Sequence, residues 1–204
     1  MTVQEPAAQA IGEDETPDPS YAFKPSLVGT WCEFKLKPDG LHWQMGVRKG
    51  RVRYERIRAV RLSYRPVTMQ SRRFVTEIWS TDNPKIQIIS VSWRSIVEQE
   101  RQDVAYVAFI TALHRRLAEE KSEAQFTTGL PVASYWLGVV VFAVVMVTIA
   151  AMTVKALRLE QWSAGAIIAA VLAAFAYQIG NYFRRNLPVR YRPEMIPRDV
   201  LPKI

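Results

Sequence analysis

The chain is poor in the residues that usually carry chemistry. It has one cysteine, Cys32, and two histidines, His42 and His114, in 204 residues. One cysteine excludes a disulfide within the chain, and one Cys with two His gives no basis for a metal cluster. Cys32 reads as a small core residue. There is no phosphate loop, dinucleotide fingerprint, metal-binding His pair or nucleophile elbow. His42, beside Trp43 on an alternating stretch, is expected to point outward. His114, beside Arg115, is expected to be solvated. Asp39 and Asp82 fall in turns, where Asp satisfies backbone donors. None of these is a catalytic candidate. No cofactor or metal is implied, and the expected role is not enzymatic.

Positive charge is missing in three places, and in two of them negative charge is missing as well. The first 20 residues hold five acids and no Lys or Arg. The rest of the chain therefore carries about +13, which those five acids reduce to the overall +8. A short acidic stretch with Pro cannot bury enough apolar surface to offset its ordering entropy. Residues 1–20 are expected to be a disordered tail, and with no basic start or apolar run they do not read as a secretory signal. The other two gaps are Trp136–Val154, 19 residues without charge, and Trp162–Ile179, 18 residues without charge. At about 1.5 Å per residue the first spans close to 30 Å, the thickness of a hydrocarbon core. Tyr135, Trp136, Trp162, Tyr182 and Phe183 stand where interfacial aromatic rings are favoured. Seven residues, "KALRLEQ", join the runs, so the expectation is a two-helix transmembrane hairpin over 132–185, with spans near 134–154 and 162–183.

Basic residues flank both ends of that hairpin, among them Arg115, Arg116, Lys121, Arg184, Arg185, Arg190 and Arg192. Basic residues favour the cytoplasmic side, which places both termini there. Small residues recur at Gly165, Ala169 and Ala173, with Gly138 on the first span. Such a stripe lets backbones approach closely and is expected to pack the hairpin. Neither run holds an ionisable residue, so nothing marks a transport route.

Between tail and hairpin the apolar pattern alternates. Cys32, Phe34 and Leu36 are two apart, as are Leu41, Trp43, Met45 and Val47, with "KPDG" as the turn between them. Val52, Tyr54, Val60, Leu62, Thr76, Ile78 and the stretch "KIQIISVSW" continue it. Six or seven short antiparallel strands are expected over 21–121. The period then changes. Val104, Val107, Ile110, Leu113 and Leu117 form the stripe of an amphipathic helix, with Asp103 in its first turn and Arg115 and Arg116 near its end. The fold class is α+β: an antiparallel roll or barrel capped by a C-terminal helix, then a linker over 122–131 and the hairpin.

The run "FKLKPDGLHWQMGVRKGRVRYERIRAVRL" resembles the start of bacterial pleckstrin-homology-like domains. There a short hairpin ending in Gly is followed by a basic strand and an I-x-x-V step, here Ile57 and Val60. The resemblance covers about residues 21–121 and implies a roll closed by one helix, commonly joined to paired transmembrane helices. In many such proteins those helices precede the domain; here they follow it. The spacing of Lys49, Arg51 and Arg53 is also similar to the phosphate-binding pattern of eukaryotic pleckstrin-homology domains.

The stretch "RKGRVRYERIRAVR" gathers seven Lys and Arg: Arg48, Lys49, Arg51, Arg53, Arg56, Arg58 and Arg61. Arg72 and Arg73 are expected to join it from the next hairpin. Three uses are open. Charge on an edge strand prevents aggregation. Anionic lipid attracts each nearby Lys or Arg by about 1 kcal/mol. An acidic protein partner would be drawn the same way. Nucleic acid is disfavoured, since no binding motif is visible. The functional expectation is a membrane-anchored interaction module of a bacterial inner membrane. Its alternatives are an accessory or assembly subunit of a larger membrane complex, and a small oligomeric pore. The tail "NLPVRYRPEMIPRDVLPKI" has Pro188, Pro193, Pro197 and Pro202, which excludes a long helix. It reads as a strap over the domain, a peptide for a partner, or a frayed end.

Overall fold

The computed structural model describes residues 18–66, 72–94 and 99–203. Most of the expected acidic tail, residues 1–17, lies outside them. Among these described residues the fold is α+β, with three α-helices, two of them long and apolar.

The alternating segments build the first sheet. Strands β1 (Ser20–Phe23), β2 (Cys32–Lys37), β3 (Gly40–Met45) and β4 (Arg48–Val52) pair antiparallel in sequence order. Cys32, Phe34 and Leu36 point into the core while Lys35 and Lys37 face solvent. The β2–β3 turn demands glycine at its exit. Gly40 has φ +138°, and a Cβ there would lie 2.4 Å from the Val52 carbonyl oxygen. The alternation expected through Val47 stops short of it: Val47 sits in the β3–β4 connection and is fully exposed.

The second sheet has the order β10-β5-β6-β7. It comprises β5 (Ile57–Tyr64), β6 (Phe74–Ser80), β7 (Ile86–Ile89) and β10 (Gln125–Thr128). A short ribbon of β8 (Val91–Trp93) and β9 (Gln99–Arg101) follows. Helix α1 (Asp103–Glu119) closes the roll, with Phe109 against Tyr21 and Phe34. Its buried face differs from the expected stripe. Val104 is 64% exposed, while Tyr106, Phe109, Ile110, Leu113, His114 and Leu117 are buried. Turning two aromatic rings inward buries more apolar area than turning two valines, and this sets the rotation of the helix. The Tyr106 hydroxyl meets Thr76 Oγ1 at 2.6 Å, so burial leaves neither unpaired.

The segment expected as a linker, 122–131, contains β10, which runs parallel to β5 with Gln125 opposite Ala59 and Thr128 opposite Leu62. The Pro-rich segment then lies along β10. Thr128 N–H donates to the Val189 carbonyl at 2.8 Å, and Tyr191 N–H to that of Phe126 at 3.1 Å. Val200 is only 2% exposed, and its short 3-10 turn, Arg198–Val200, rests against β5. The tail is thus packed on the domain.

Glu77 is the polar hub of the second sheet. It is almost fully buried on β6 and accepts hydrogen bonds from Arg65 (2.8 Å), Lys85 (3.0 Å) and Gln87 (2.8 Å). Burial raises its pKa, but the bonds from Lys85 and Gln87 and the charge of Arg65 outweigh that and hold it below the usual range. Arg65 and Lys85 keep partial access to water, so both can rehydrate when the carboxylate is removed. Glu77→Ala is therefore expected to cost about 2 kcal/mol, short of the ~3–5 kcal/mol of a fully buried broken pair. Thermal unfolding of the detergent-solubilised chain measures this.

Helices α2 (Val132–Arg158) and α3 (Trp162–Arg185) form an antiparallel hairpin. The connection is shorter than expected, because α2 continues through Lys155 and Arg158 and only 159–161 lie between the helices. Both helices are long and apolar enough to cross a membrane, and only 6% of the apolar window of each is buried. Gly138 packs on the Phe183 ring and Gly165 on Leu157. Ala169 and Ala173, expected to join Gly165 at the helix contact, are exposed instead. The residues turned toward α2 are spaced by three and four (Gly165, Ile168, Leu172, Ala176, Ile179, Phe183), whereas a strict four-residue step drifts off that face.

Asn186, just past α3, fixes the hairpin to the roll. It is fully buried. Its Oδ1 accepts from Tyr64 N–H at 3.1 Å, and its Nδ2 donates to the carbonyls of Tyr64 (2.8 Å) and Tyr182 (3.2 Å). Its own carbonyl accepts from Leu130 N–H at 3.1 Å. Gly129 N–H donates to the Leu62 carbonyl at 2.7 Å, so both helix roots converge on the Leu62–Tyr64 end of β5.

Candidate anion-contact surfaces

Strand pairing decides how the basic stretch is displayed. In the first sheet Lys35, His42 and Arg51 lie in register across β2, β3 and β4, and Gln44 stands opposite Lys49. They border an open groove of about 450 Å³ on the outer face. Arg51 is committed within it. Its Nη1 donates to Asp39 Oδ2 at 2.6 Å, and His42 Nε2 lies 2.8 Å from Asp39 Oδ1. The hydrogen bond from Arg51, then that from His42, pulls the Asp39 carboxyl down to about 2. Arg48, Lys49 and Arg53 are exposed, and among the described residues none of them forms an ion pair.

The other cations of the stretch are partly engaged. Arg56 pairs with Asp82 at 3.7 Å, and Arg58 Nε donates to Thr81 Oγ1 at 3.1 Å. Arg61 stacks over the Trp79 ring at 4.9 Å and stands opposite Glu77. Arg51 is drawn to the same end of the second sheet, where Asn83 Nδ2 donates to its carbonyl at 3.3 Å.

Arg72 and Arg73, expected to join this stretch, lie elsewhere. They precede Phe74, which pairs with Tyr64 at the other end of β5. Arg73 Nε donates to the Arg65 carbonyl at 3.1 Å, and burial followed by the nearby Arg65 charge lowers its pKa. An eight-residue strand separates the two groups, about 23 Å at ~3.3 Å per residue. The expected single basic face is therefore two. One, Arg51 to Arg58, is at the end of the roll away from the hairpin. The other, with Arg72 and Arg73, is at the hairpin root. Arg184, Arg185, Arg198 and Lys203 stand beside Arg72 there. No sequence pattern groups these residues; only the return of the tail across the domain brings them together.

His114 is fully buried, against the expectation of a solvated side chain. Its Nδ1 lies 2.8 Å from the Ile110 carbonyl oxygen and its Nε2 2.8 Å from the Tyr191 hydroxyl. Tyr191 comes from the tail, so the partner that makes burial affordable is 77 residues away in sequence. Cys32 is buried as expected, and burial pushes its thiol pKa up. Among the described residues no group of His, Cys, Asp and Glu is placed to hold a metal ion. No protein-family model matches the chain, and no curated protein or solved structure matches it significantly.

Proposed function

We propose that this chain is a membrane-anchored, non-enzymatic interaction module. In this reading a pleckstrin-homology-like roll is carried on a two-pass hairpin in a bacterial inner membrane, with both termini cytoplasmic. Its basic surfaces contact anionic lipid headgroups or an acidic partner at the cytoplasmic leaflet. The observation that carries it is the hairpin itself, two long apolar helices with 6% of their apolar windows covered, tied at both roots to a compact basic domain. Such an apolar surface in water is a liability, and hydrocarbon removes it. Two four-stranded sheets, antiparallel except where β10 pairs with β5, and the helix α1 packed on them support the pleckstrin-homology-like reading.

The separation of the basic groups divides the work. Arg72 and Arg73, at the hairpin root, fall to the lipid. Arg51 to Arg58, a strand length away, suit an acidic partner in the cytosol. Ala169 and Ala173, small and uncovered on α3, favour a second reading as an accessory subunit that meets another helix.

Membrane fractionation tests the proposal. The chain is expected to stay in the pellet after alkaline carbonate. Trypsin is expected to digest the roll in inverted vesicles and leave it intact in spheroplasts. Release by carbonate, or the opposite protease pattern, would overturn the reading.

A further inference from the structure

At the hairpin root six cations line one recess: Arg72, Arg101, Arg184, Arg185, Arg198 and Lys203. Asp199 is the one acid among its described lining residues. They arrive from four parts of the chain: the start of β6, the end of β9, the last turn of α3 and the tail. Some are held in place. Arg101 pairs with Asp103, Arg184 Nη2 donates to Asn181 Oδ1 at 3.3 Å, and Arg185 lies over the Tyr64 ring at 5.0 Å. Like charges gathered this closely repel unless an anion joins them. The recess has room of about 50 Å³, several times the ~10–15 Å³ that one water needs. That suits a single phosphate group, which guanidinium forks recognise with paired hydrogen bonds.

We infer that this recess binds a phosphate group, and that its source is the headgroup of an anionic phospholipid. The inference rests on the membrane reading above. Depth selects the source. Ile179 ends the apolar run of α3, and Arg184 follows five residues later, about 7.5 Å further along the axis. The polar headgroup layer occupies roughly the ~5–8 Å beyond each face of the hydrocarbon core. The cations therefore stand at the level of lipid phosphates.

The test uses the full chain in nanodiscs of equal phosphatidylcholine and phosphatidylglycerol, with retained lipid counted by native mass spectrometry. Retention of phosphatidylglycerol is expected, and Arg72→Gln with Arg198→Gln is expected to weaken it about tenfold to thirtyfold. Arg48→Gln with Lys49→Gln removes the same charge from the start of β4, where both side chains are exposed, and is expected to change retention less than twofold. Circular dichroism confirms that both variants fold. Equal loss in the two variants would overturn the site in favour of diffuse attraction, and no lipid preference would overturn its lipid source. Thermal stabilisation of the detergent-solubilised chain by inorganic phosphate, without lipid preference in discs, would reassign the recess to a soluble phosphate. Failure to enter discs at all would instead reject the membrane reading.

Discussion

Gly129→Ala is expected to be among the most damaging single substitutions in the chain, lowering the melting temperature by roughly 6–12 °C. Gly129 joins β10 to α2, at the point where the hairpin meets the roll. Its φ is +71°, a left-handed conformation that costs a side-chain-bearing residue about 1–2 kcal/mol. Space is a second and larger obstacle. A Cβ would lie 2.1 Å from the Asn186 carbonyl oxygen and 2.7 Å from that of Leu187. Both are backbone atoms, so no side chain can swing aside. Relief requires the end of α3 to move away from β10, which strains the bonds from Asn186 to Tyr64. Loss of one such buried bond costs about 1–3 kcal/mol. Together these give roughly 3 kcal/mol or more, the basis of the temperature range. Differential scanning fluorimetry in detergent checks it. A shift under 2 °C would show that the roots are not locked. The melting should retain full helical signal at low temperature, since the hairpin helices themselves are untouched.

Local periodicity carried much of this fold. Cys32, Phe34 and Leu36 alternate because one face of the first sheet meets water, and Trp136–Val154 is free of charge over a full helix length. Each feature repeats within a few residues, so one segment is enough to read it. Strand β6, one of the two central strands of the second sheet, is harder to read. Phe74 through Ile78 are all buried, so the residues do not alternate in burial. β10 is four residues long and pairs parallel to a strand more than sixty residues earlier, so its stability comes from β5 and the tail rather than from its own pattern.

The candidate site divides on the same line. Lys49 and Arg51 are neighbours on a strand face, as a two-residue period requires. Arg72 and Arg73 are close to them in sequence but leave from the opposite end of β5. A connection between strands says which strands are joined, while the register says which ends meet. Acidic partners were also invisible from spacing alone. Asp39 reaches Arg51 across the first sheet, and Asp82 reaches Arg56 from the β6–β7 turn. The recess at the hairpin root depends on Arg198 and Lys203, and these are brought there by the packing of Tyr191 and Val200.

That packing predicts a pH response. His114 Nδ1 faces the Ile110 carbonyl oxygen, an acceptor, so Nδ1 carries the proton and Nε2 accepts from the Tyr191 hydroxyl. The neutral ring is thereby satisfied on both sides. Burial pushes its pKa down to about 4, against an ordinary value of 6.5. The folded chain thus resists protonation where the unfolded chain accepts it. Above pH 6.5 neither state binds the proton, and His114 adds no pH dependence. Between 6.5 and about 4 only the unfolded state binds it, so stability falls as pH falls, by about 1.4 kcal/mol per unit. From pH 7.5 to pH 5 the contribution is about 2 kcal/mol, and it reaches roughly 3 kcal/mol below pH 4. Carboxylates titrate over the same range, so the measurement is a comparison. His114→Phe keeps a ring of similar size against Phe126 and cannot be protonated. The wild-type melting temperature is expected to fall by roughly 4–8 °C more than that of the variant between pH 7.5 and pH 5. Tyr191→Phe leaves His114 Nε2 buried without its donor and is expected to cost about 1–2 kcal/mol at pH 7.5. Tail release follows the same coordinate: acid weakens the contact that seats Tyr191, so proteolysis between Arg190 and Arg198 should accelerate below pH 6 in the wild type. Parallel pH profiles for the wild type and His114→Phe would show that the titration of His114 plays no part in holding the tail.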